Sequence, residues 1–237
     1  MSLPVFFSES IGDPASEQRL GDESARHILS VLRMRNGDRL RLTDGRGRLA
    51  DAVIASSDKK KCIVRLDNVE QQPKKNYSLT LAISLLKNSN RFEWLLEKAT
   101  EIGVTAIVPL ICDRTEKQHF RADRMKNILI SAMLQSQQVW LPDLPEPVHF
   151  DTFLTTSDSR HKFIAHCLPG YKQTFSYFPL HQREATILIG PEGDFTPEEV
   201  QKALQNGCIP LSLGNTRLRT ETAGLVGVTL MVWKLTN

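Results

Sequence analysis

The chain has 237 residues, 41% of them apolar, and a formal net charge of +3 over 30 basic and 27 acidic side chains. That length accommodates one large domain or a small one joined to a medium one, and the apolar share excludes a disordered or fibrous chain. The small basic surplus permits a nucleic-acid partner without requiring one.

Up to about residue 70, short β-like pieces alternate with turn signals at Asn36-Gly37-Asp38 and Asp44-Gly45-Arg46-Gly47, followed by strand-like runs at Ala50 to Ala55 and Cys62 to Leu66. The pattern predicts a small β-barrel. One helical stretch, Ser24 to Leu32, interrupts it, with His27, Arg33 and Arg35 near its end. Arg39, Arg41, Arg46, Arg48 and Lys59-Lys60-Lys61 form a basic set spread over several turns, as a surface tracking a phosphate backbone requires. Asp38, Asp44, Asp51 and Asp58 interleave with it, so a solvated face of mixed charge is the competing reading.

Gln71-Gln72-Pro73-Lys74-Lys75-Asn76 is polar and unpatterned and reads as a linker, dividing the chain into residues 1–72 and 73–237. Beyond it the pattern changes to strand, helix, strand. Ser78 to Leu86 is a strand, and Asn90 with Glu93 resembles a capping box opening a helix whose stripe is Phe92, Leu95, Leu96, Ala99 and Ile102, closed by Gly103. Thr105 to Cys112 is a strand, Arg121 to Gln138 a helix, and Pro142 to His161 an irregular Pro-rich connection. Lys162 to Cys167 and Ala185 to Gly190 are strands. Thr196-Pro197-Glu198-Glu199 caps a helix closed by Gly207, Cys208 to Leu213 is the last strand, and Thr220 begins the last helix. Strands and helices alternating at this spacing predict an α/β domain with a parallel sheet covered on both faces.

Cys62, Cys112, Cys167 and Cys208 lie far apart and read as buried reduced thiols of a cytosolic protein. His161 and His166 are five residues apart, a spacing that does not put two imidazoles on one helical face, and no metal site is expected. No signal peptide is visible, and the longest apolar tract, Ala223 to Trp233, is too short to cross a bilayer. A cytoplasmic protein with no membrane association is expected.

The chemistry concentrates in two glycine-centred loops, Ile189-Gly190-Pro191-Glu192-Gly193-Asp194-Phe195 and Leu213-Gly214-Asn215-Thr216-Arg217-Leu218-Arg219-Thr220-Glu221-Thr222-Ala223. Each follows an apolar run and leads into a helical pattern, the place where parallel strands hand over to helices and where bare backbone can approach a small molecule. A standard dinucleotide fold carries its glycines after the first strand instead, where this chain has Lys87-Asn88-Ser89-Asn90. Gly224 and Gly227 each cost on the order of 1 kcal/mol in a helix relative to alanine. A cofactor edge or a symmetry-related helix is therefore expected against that face.

Gly190-Pro191-Glu192-Gly193 and Leu218-Arg219-Thr220-Glu221-Thr222-Ala223, with Glu97-Lys98-Ala99-Thr100-Glu101-Ile102-Gly103 upstream, resemble the RsmE family of 16S rRNA uridine-N3 methyltransferases, of the SPOUT class. The resemblance spans essentially the whole chain, including His27 to Arg33. It implies an S-adenosylmethionine-dependent enzyme with a deep C-terminal trefoil knot, an N-terminal PUA-like RNA-binding barrel, and a homodimer acting on 16S rRNA or the small ribosomal subunit. Asp194 departs from the family pattern, where a second glycine is usual, and so does Thr216, where Arg is common; Arg217 stands beside it.

A flat adenine and a cationic sulfonium need aliphatic walls and main-chain hydrogen bonds, which Leu168, Ile189, Leu211, Leu213 and Leu218, and the backbone at Gly190, Gly193, Gly214 and Ala223, are placed to supply. Pro191 and Thr222 belong to the same two motifs. Methylating uracil N3 requires loss of an imide proton, and Arg219 is the candidate for steadying the resulting anion, with Glu192 and Glu221 as candidates for the proton. Glu221 also stands in the first turn of a helix, where a carboxylate suits the macrodipole. Arg114 follows a strand end and joins His27, Arg33 and Arg35 as a candidate RNA contact. A SPOUT enzyme acting on another RNA site or atom, and a non-catalytic RNA-binding protein, remain the alternatives.

Overall fold

The computed structural model of the chain describes residues 3–58, 61–175 and 183–237; Lys59 and Lys60 of the basic set lie outside them. Two compact units result, residues 1–74 with 133–141, and residues 75–132 with 142–237.

In the first unit β1 (Val5–Phe7), β2 (Glu17–Arg19), β3 (Arg39–Thr43), β4 (Arg48–Asp58) and β5 (Lys61–Gln71) form one sheet in the order β1-β3-β4-β5-β2. β1 runs parallel to β3, and the other pairs are antiparallel. Register shifts between Asp51 and Ala52 and between Ile54 and Ser56 mark bulges in the long β4–β5 hairpin. Bulges bend a strand and raise its twist, which curls a small sheet toward a barrel. Alternate residues of β3, β4 and β5 (Leu40, Leu42, Ile54, Val64, Leu66) pack with Phe6 and Ile28 into one core. The helical stretch is a short α1 (Asp22–Arg26) followed by a π-helical turn, His27–Val31.

Several members of the basic set serve the sheet itself. Arg41 pairs with Asp51 across β3 and β4 at 2.8 Å, Arg39 reaches Asp67, and Arg48 donates to the Ile11 carbonyl at 2.6 Å. Of the interleaved aspartates, Asp51 is thus a side-chain partner of the basic set and Asp44 accepts from the Arg46 and Arg48 amides, as the competing reading of mixed charge anticipates.

The expected boundary at residue 72 falls two residues short, and the first unit also takes in 133–141. The reason is Trp140 and its neighbours. Trp140 bridges Arg46, its Nε1 donates to the Pro73 carbonyl at 3.0 Å, and the Leu141 and Gly47 amides exchange bonds with Gly45 and Val139. Gly47 has φ +90°, and a Cβ there would lie 2.3 Å from the Trp140 ring. Gly47→Ala is expected to lower stability by about 2–4 kcal/mol, combining left-handed strain with overpacking. Urea unfolding followed by tryptophan emission checks this; a midpoint within error of the wild type would mean the segment is not seated as described.

The second unit is β6 (Ser78–Ser84), α2 (Ser89–Ile102), β7 (Ala106–Ile111), α3 (Ala122–Gln135), β8 (Val148–His149), α4 (Phe150–Thr156), β9 (Lys162–Ala165), β10 (Glu184–Ile189), α5 (Pro197–Gln205), β11 (Ile209–Leu211) and α6 (Thr220–Thr236). Its six strands are all parallel, ordered β11-β9-β10-β6-β7-β8. The central strands are buried on both faces, which is why β6 and β10 read as near-continuous apolar runs.

Three expectations change. The N-cap of α2 is Asn88, whose side chain accepts from the Asn90 amide, while Glu93 is drawn away into a bidentate pair with Arg124 at 2.5 and 2.7 Å. The connection from Pro142 to His161 contains β8 and α4, with Phe150, Phe153 and Leu154 buried; their spacing covers barely two turns and gives little periodic signal. Finally, what presses on the glycine face of α6 is the unit's own interior. A Cβ at Gly224 would meet Ile83 at 2.9 Å and Leu95 at 3.1 Å, and one at Gly227 would meet Ile187 at 2.5 Å. Neither a cofactor edge nor a second copy is needed to account for either residue.

The Thr196–Glu199 capping box forms in both directions. Among the described residues no helix is long and apolar enough to cross a membrane, and no group of three or more His, Cys, Asp or Glu side chains could hold a metal ion.

Candidate active site

Because the strands of the second unit are parallel, β9, β10 and β11 end on the same side of the sheet, and the crevice outside such ends is where α/β folds collect ligands. A cavity of about 780 Å³ lies there, within the range of small-molecule sites. Ala165 to Cys167 after β9, Ile189 to Glu192 and Asp194 after β10, and the whole run from Leu211 to Glu221 after β11 line it, with Ala223.

Of the residues singled out in the sequence, Ile189, Gly190, Pro191, Leu211, Leu213, Gly214, Leu218 and Ala223 stand in the wall, as do Glu192, Arg219 and Glu221. Leu168, Gly193 and Thr222 do not. Leu168 packs against the apolar cluster beneath, and Gly193 faces Arg114, whose Nη1 donates to its carbonyl at 2.7 Å. Thr216 and Arg217 line the cavity with exposed side chains.

The glycines differ in what they do. A Cβ on Gly190 would come within 2.9 Å of the Phe195 amide nitrogen, so the turn after β10 closes only around a bare backbone. Gly214 has open space around it but φ +124°, so there the conformation demands glycine.

The carboxylates divide as well. Glu192 is exposed and its Oε1 accepts from the Lys87 amide at 3.0 Å, tying the turn after β6. Glu221 is 7% exposed; Oε1 lies 3.6 Å from Nε of Arg91, while Oε2 is buried with no hydrogen-bond partner among the described residues. A buried acceptor left unpaired in a cavity wall marks where a ligand donor or cation completes the structure. Arg219 is the N-cap residue of α6, with extended backbone and an exposed side chain.

Asp194 of the first glycine-centred loop lines the cavity, and so do Arg91, His166 and Lys172, which motif reading did not place in the site. The strand-end rule alone would have found His166, which directly follows β9, and Arg91, in the first turn of α2, the helix after β6. Burial, and then Lys172, hold the His166 imidazole below its ordinary range against an opposing pull from Asp194; its Nδ1 is buried without a partner among the described residues. Cys167 is exposed in this wall, unlike Cys62, Cys112 and Cys208, which are buried as expected for inert thiols.

In the first unit, His27, Arg33 and Arg35 are exposed on and just after the π-helical turn. The Leu32 amide bonds the His27 carbonyl at 3.0 Å, Arg33 takes a left-handed φ of 55°, and the His27 ring stands edge-on to Phe6 at 5.7 Å. Single π turns are frequent at functional sites.

A family model described as an RNA methyltransferase domain matches residues 73–232, and one described as an RNA methyltransferase PUA domain matches residues 20–67. The ribosomal RNA small subunit methyltransferase E of Synechocystis is 30% identical over 213 residues, spanning 85% of this chain and 68% of its own. The chain belongs to the RsmE family of RNA methyltransferases. An RsmE protein from Neisseria gonorrhoeae, solved bound to S-adenosyl methionine, is 28% identical with a TM-score of 0.87, covering 97% of each chain. A protein from Porphyromonas gingivalis described as a probable rRNA-methyltransferase is 41% identical with a TM-score of 0.91, covering 99% of each chain. The RsmE fold therefore comprises both units, the PUA-like N-terminal one and the parallel α/β one.

The cavity fits the RsmE methyl donor on its own geometry. S-adenosylmethionine joins an apolar, flat base to a cationic sulfonium and an ammonium group. The wall offers Ile189, Leu211, Leu213 and Leu218 for the first and the Glu192 and Asp194 carboxylates for the second, with Gly190 leaving main chain accessible between them.

Proposed function

We propose that the chain methylates N3 of a uridine in 16S rRNA of the small ribosomal subunit, in the cytoplasm, with S-adenosylmethionine bound in the strand-end cavity. Bound there, that molecule supplies an electrophilic methyl group on a sulfonium. The chain's residues must hold the uracil in line, take its imide proton and steady the anion that results. The cavity suits the task because its wall carries both signs, Glu221 and Asp194 against Arg91, Arg217 and Arg219.

Glu221 Oε2 takes the proton in this reading, since it is the buried acceptor without a partner, whereas Glu192 already holds the Lys87 amide. Arg219 donates in pairs to the uracil anion through its planar guanidinium. Ile189, Gly190, Pro191, Leu211, Leu213, Gly214, Leu218 and Ala223 hold the nucleoside. Leu168, Gly193 and Thr222 act one layer behind, through the elements that carry the wall. His27, Arg33 and Arg35 bind RNA from the PUA-like unit, and Arg114 adds a contact with the part of its fork not used by Gly193.

Two further features belong to this reading. A trefoil knot is supported by the chain's course from β11 at one sheet edge back to α6, which packs on α2, β6 and β10. A homodimer is supported by Trp94 on α2 and Trp233 on α6, 42% and 59% exposed on helices that pack together. Large apolar surface left on neighbouring helices is the signature of an interface.

The single observation that carries the proposal is the buried carboxylate oxygen of Glu221, unpaired among the described residues, in a cavity walled by aliphatic side chains, glycine backbone and the charged groups named above. The experiment is mass mapping of methylated nucleosides in 16S rRNA from a strain lacking the gene, with and without the gene restored. Loss and return of 3-methyluridine is the expected outcome. A mark that persists, or one that changes at another atom, would replace this reading with one of its alternatives.

A further inference from the structure

Besides the bond that Glu192 accepts from the Lys87 amide, the turn after β10 is fastened to its surroundings at three further points. The Asp194 carboxylate accepts from the Cys167 amide at 2.7 Å through Oδ2 and from the Phe195 amide at 2.8 Å through Oδ1. The Gly193 carbonyl accepts from Arg114 at 2.7 Å. Glu199, buried beneath, accepts from the Thr196 amide at 2.8 Å and from the Asp113 amide at 2.9 Å.

Only the first of these three fastenings joins two walls of the cavity. Cys167 belongs to the wall after β9 and Asp194 to the wall after β10, and both line the space between them. Asp194 does this from a left-handed backbone, φ 64°, a conformation glycine would take without strain. The residue at this position is therefore chosen for its side chain. A carboxylate has the two acceptor oxygens needed to satisfy both amides at once, and bonds to an ionised acceptor are shorter and stronger than neutral ones.

We infer that Asp194 is a positioning residue for the methyl-donor cavity: its carboxylate clamps the loop after β9 to the turn after β10 and so fixes the spacing of the two walls before any ligand arrives. Preorganisation of this kind raises affinity by removing an ordering cost from the binding step. The inference rests on the reading that S-adenosylmethionine binds in this cavity, and its test separates the two.

Asp194→Gly removes the clamp and relieves the backbone; Asp194→Asn keeps a residue tolerant of left-handed φ but only one acceptor oxygen. Amide hydrogen exchange on the ligand-free proteins, over residues 165–168 and 194–196, reads the clamp directly. S-adenosylmethionine affinity by calorimetry reads its consequence. The glycine variant should exchange the Cys167 amide about tenfold faster and bind about tenfold more weakly, the change expected for one charge-assisted bond. Its melting temperature should be unchanged or higher, and the asparagine variant should fall between. A glycine variant that binds as tightly as the wild type overturns the inference, whether or not exchange accelerates, and so does unchanged exchange. If the wild type itself binds no S-adenosylmethionine, the ligand reading fails, and the exchange data still decide whether the clamp exists.

Discussion

Replacing Arg219 by alanine should lower turnover about a hundred- to a thousandfold while leaving S-adenosylmethionine affinity within a few-fold of the wild type, the loss seen when one donor to a developing anion is removed. The split follows from where the residue stands. Its backbone caps α6 and its carbonyl accepts from the Ala223 amide, an interaction alanine keeps. Its guanidinium is exposed toward the cavity and has no hydrogen-bond or ion-pair partner among the described residues. Little folding energy is therefore at stake, and the cost should fall on the step in which charge builds on the uracil. Single-turnover rates with saturating cofactor, beside calorimetric affinities, make the comparison. Turnover equal to the wild type would remove Arg219 from the chemistry; a matching loss of affinity would place it in cofactor binding instead. Arg219→Lys should recover only part of the rate, because an ammonium restores charge without the paired donors.

The cavity was legible in the sequence to the extent that strand-end loops with glycines announce themselves. Gly190 and Gly214 line it with bare backbone, each required for a different reason, one steric and one conformational. The carboxylates were less legible. Glu192 and Glu221 look equivalent as letters, and only packing separates an exposed acceptor bonded to a neighbouring loop from a buried one with an unpaired oxygen. Gly224 and Gly227 carried a true signal with the wrong partner. A helix glycine reports that something approaches closely, but sequence cannot say that Ile83, Leu95 and Ile187 do the approaching. Long periodic elements such as α2 and the capped α5 declared themselves, whereas α4, short and preceded by prolines, gave too few turns for periodicity to register. The 133–141 segment was hidden for a different reason. Its place beside Gly45 and Gly47 depends on contacts some ninety residues apart in the chain, and no local pattern encodes them.

Gly190→Ala tests how rigid the wall after β10 is. Backbone conformation does not forbid alanine there, so the outcome depends on space alone. The added carbon would sit 2.9 Å from the Phe195 amide nitrogen and 3.0 Å from its ring. Neither neighbour can give way easily: the amide is held by the Asp194 carboxylate, and the ring is fully buried against Phe150 at 5.2 Å. Close-packed interiors transmit such a conflict instead of absorbing it. The turn must then open, moving Pro191 and Asp194 in the wall, with an overpacking cost of about 1–3 kcal/mol. S-adenosylmethionine affinity should fall by about a factor of ten or more, in proportion to that cost if binding requires the closed turn. Gly193→Ala provides the control, because its Cβ would meet only Arg114 Cδ at 3.3 Å, and an exposed arginine can shift a few tenths of an ångström. Its affinity should stay near the wild type. Equal losses in the two variants would mean that any substitution in the turn perturbs the site, and equal retention would mean that the turn after β10 yields, so that the cavity's shape is set elsewhere.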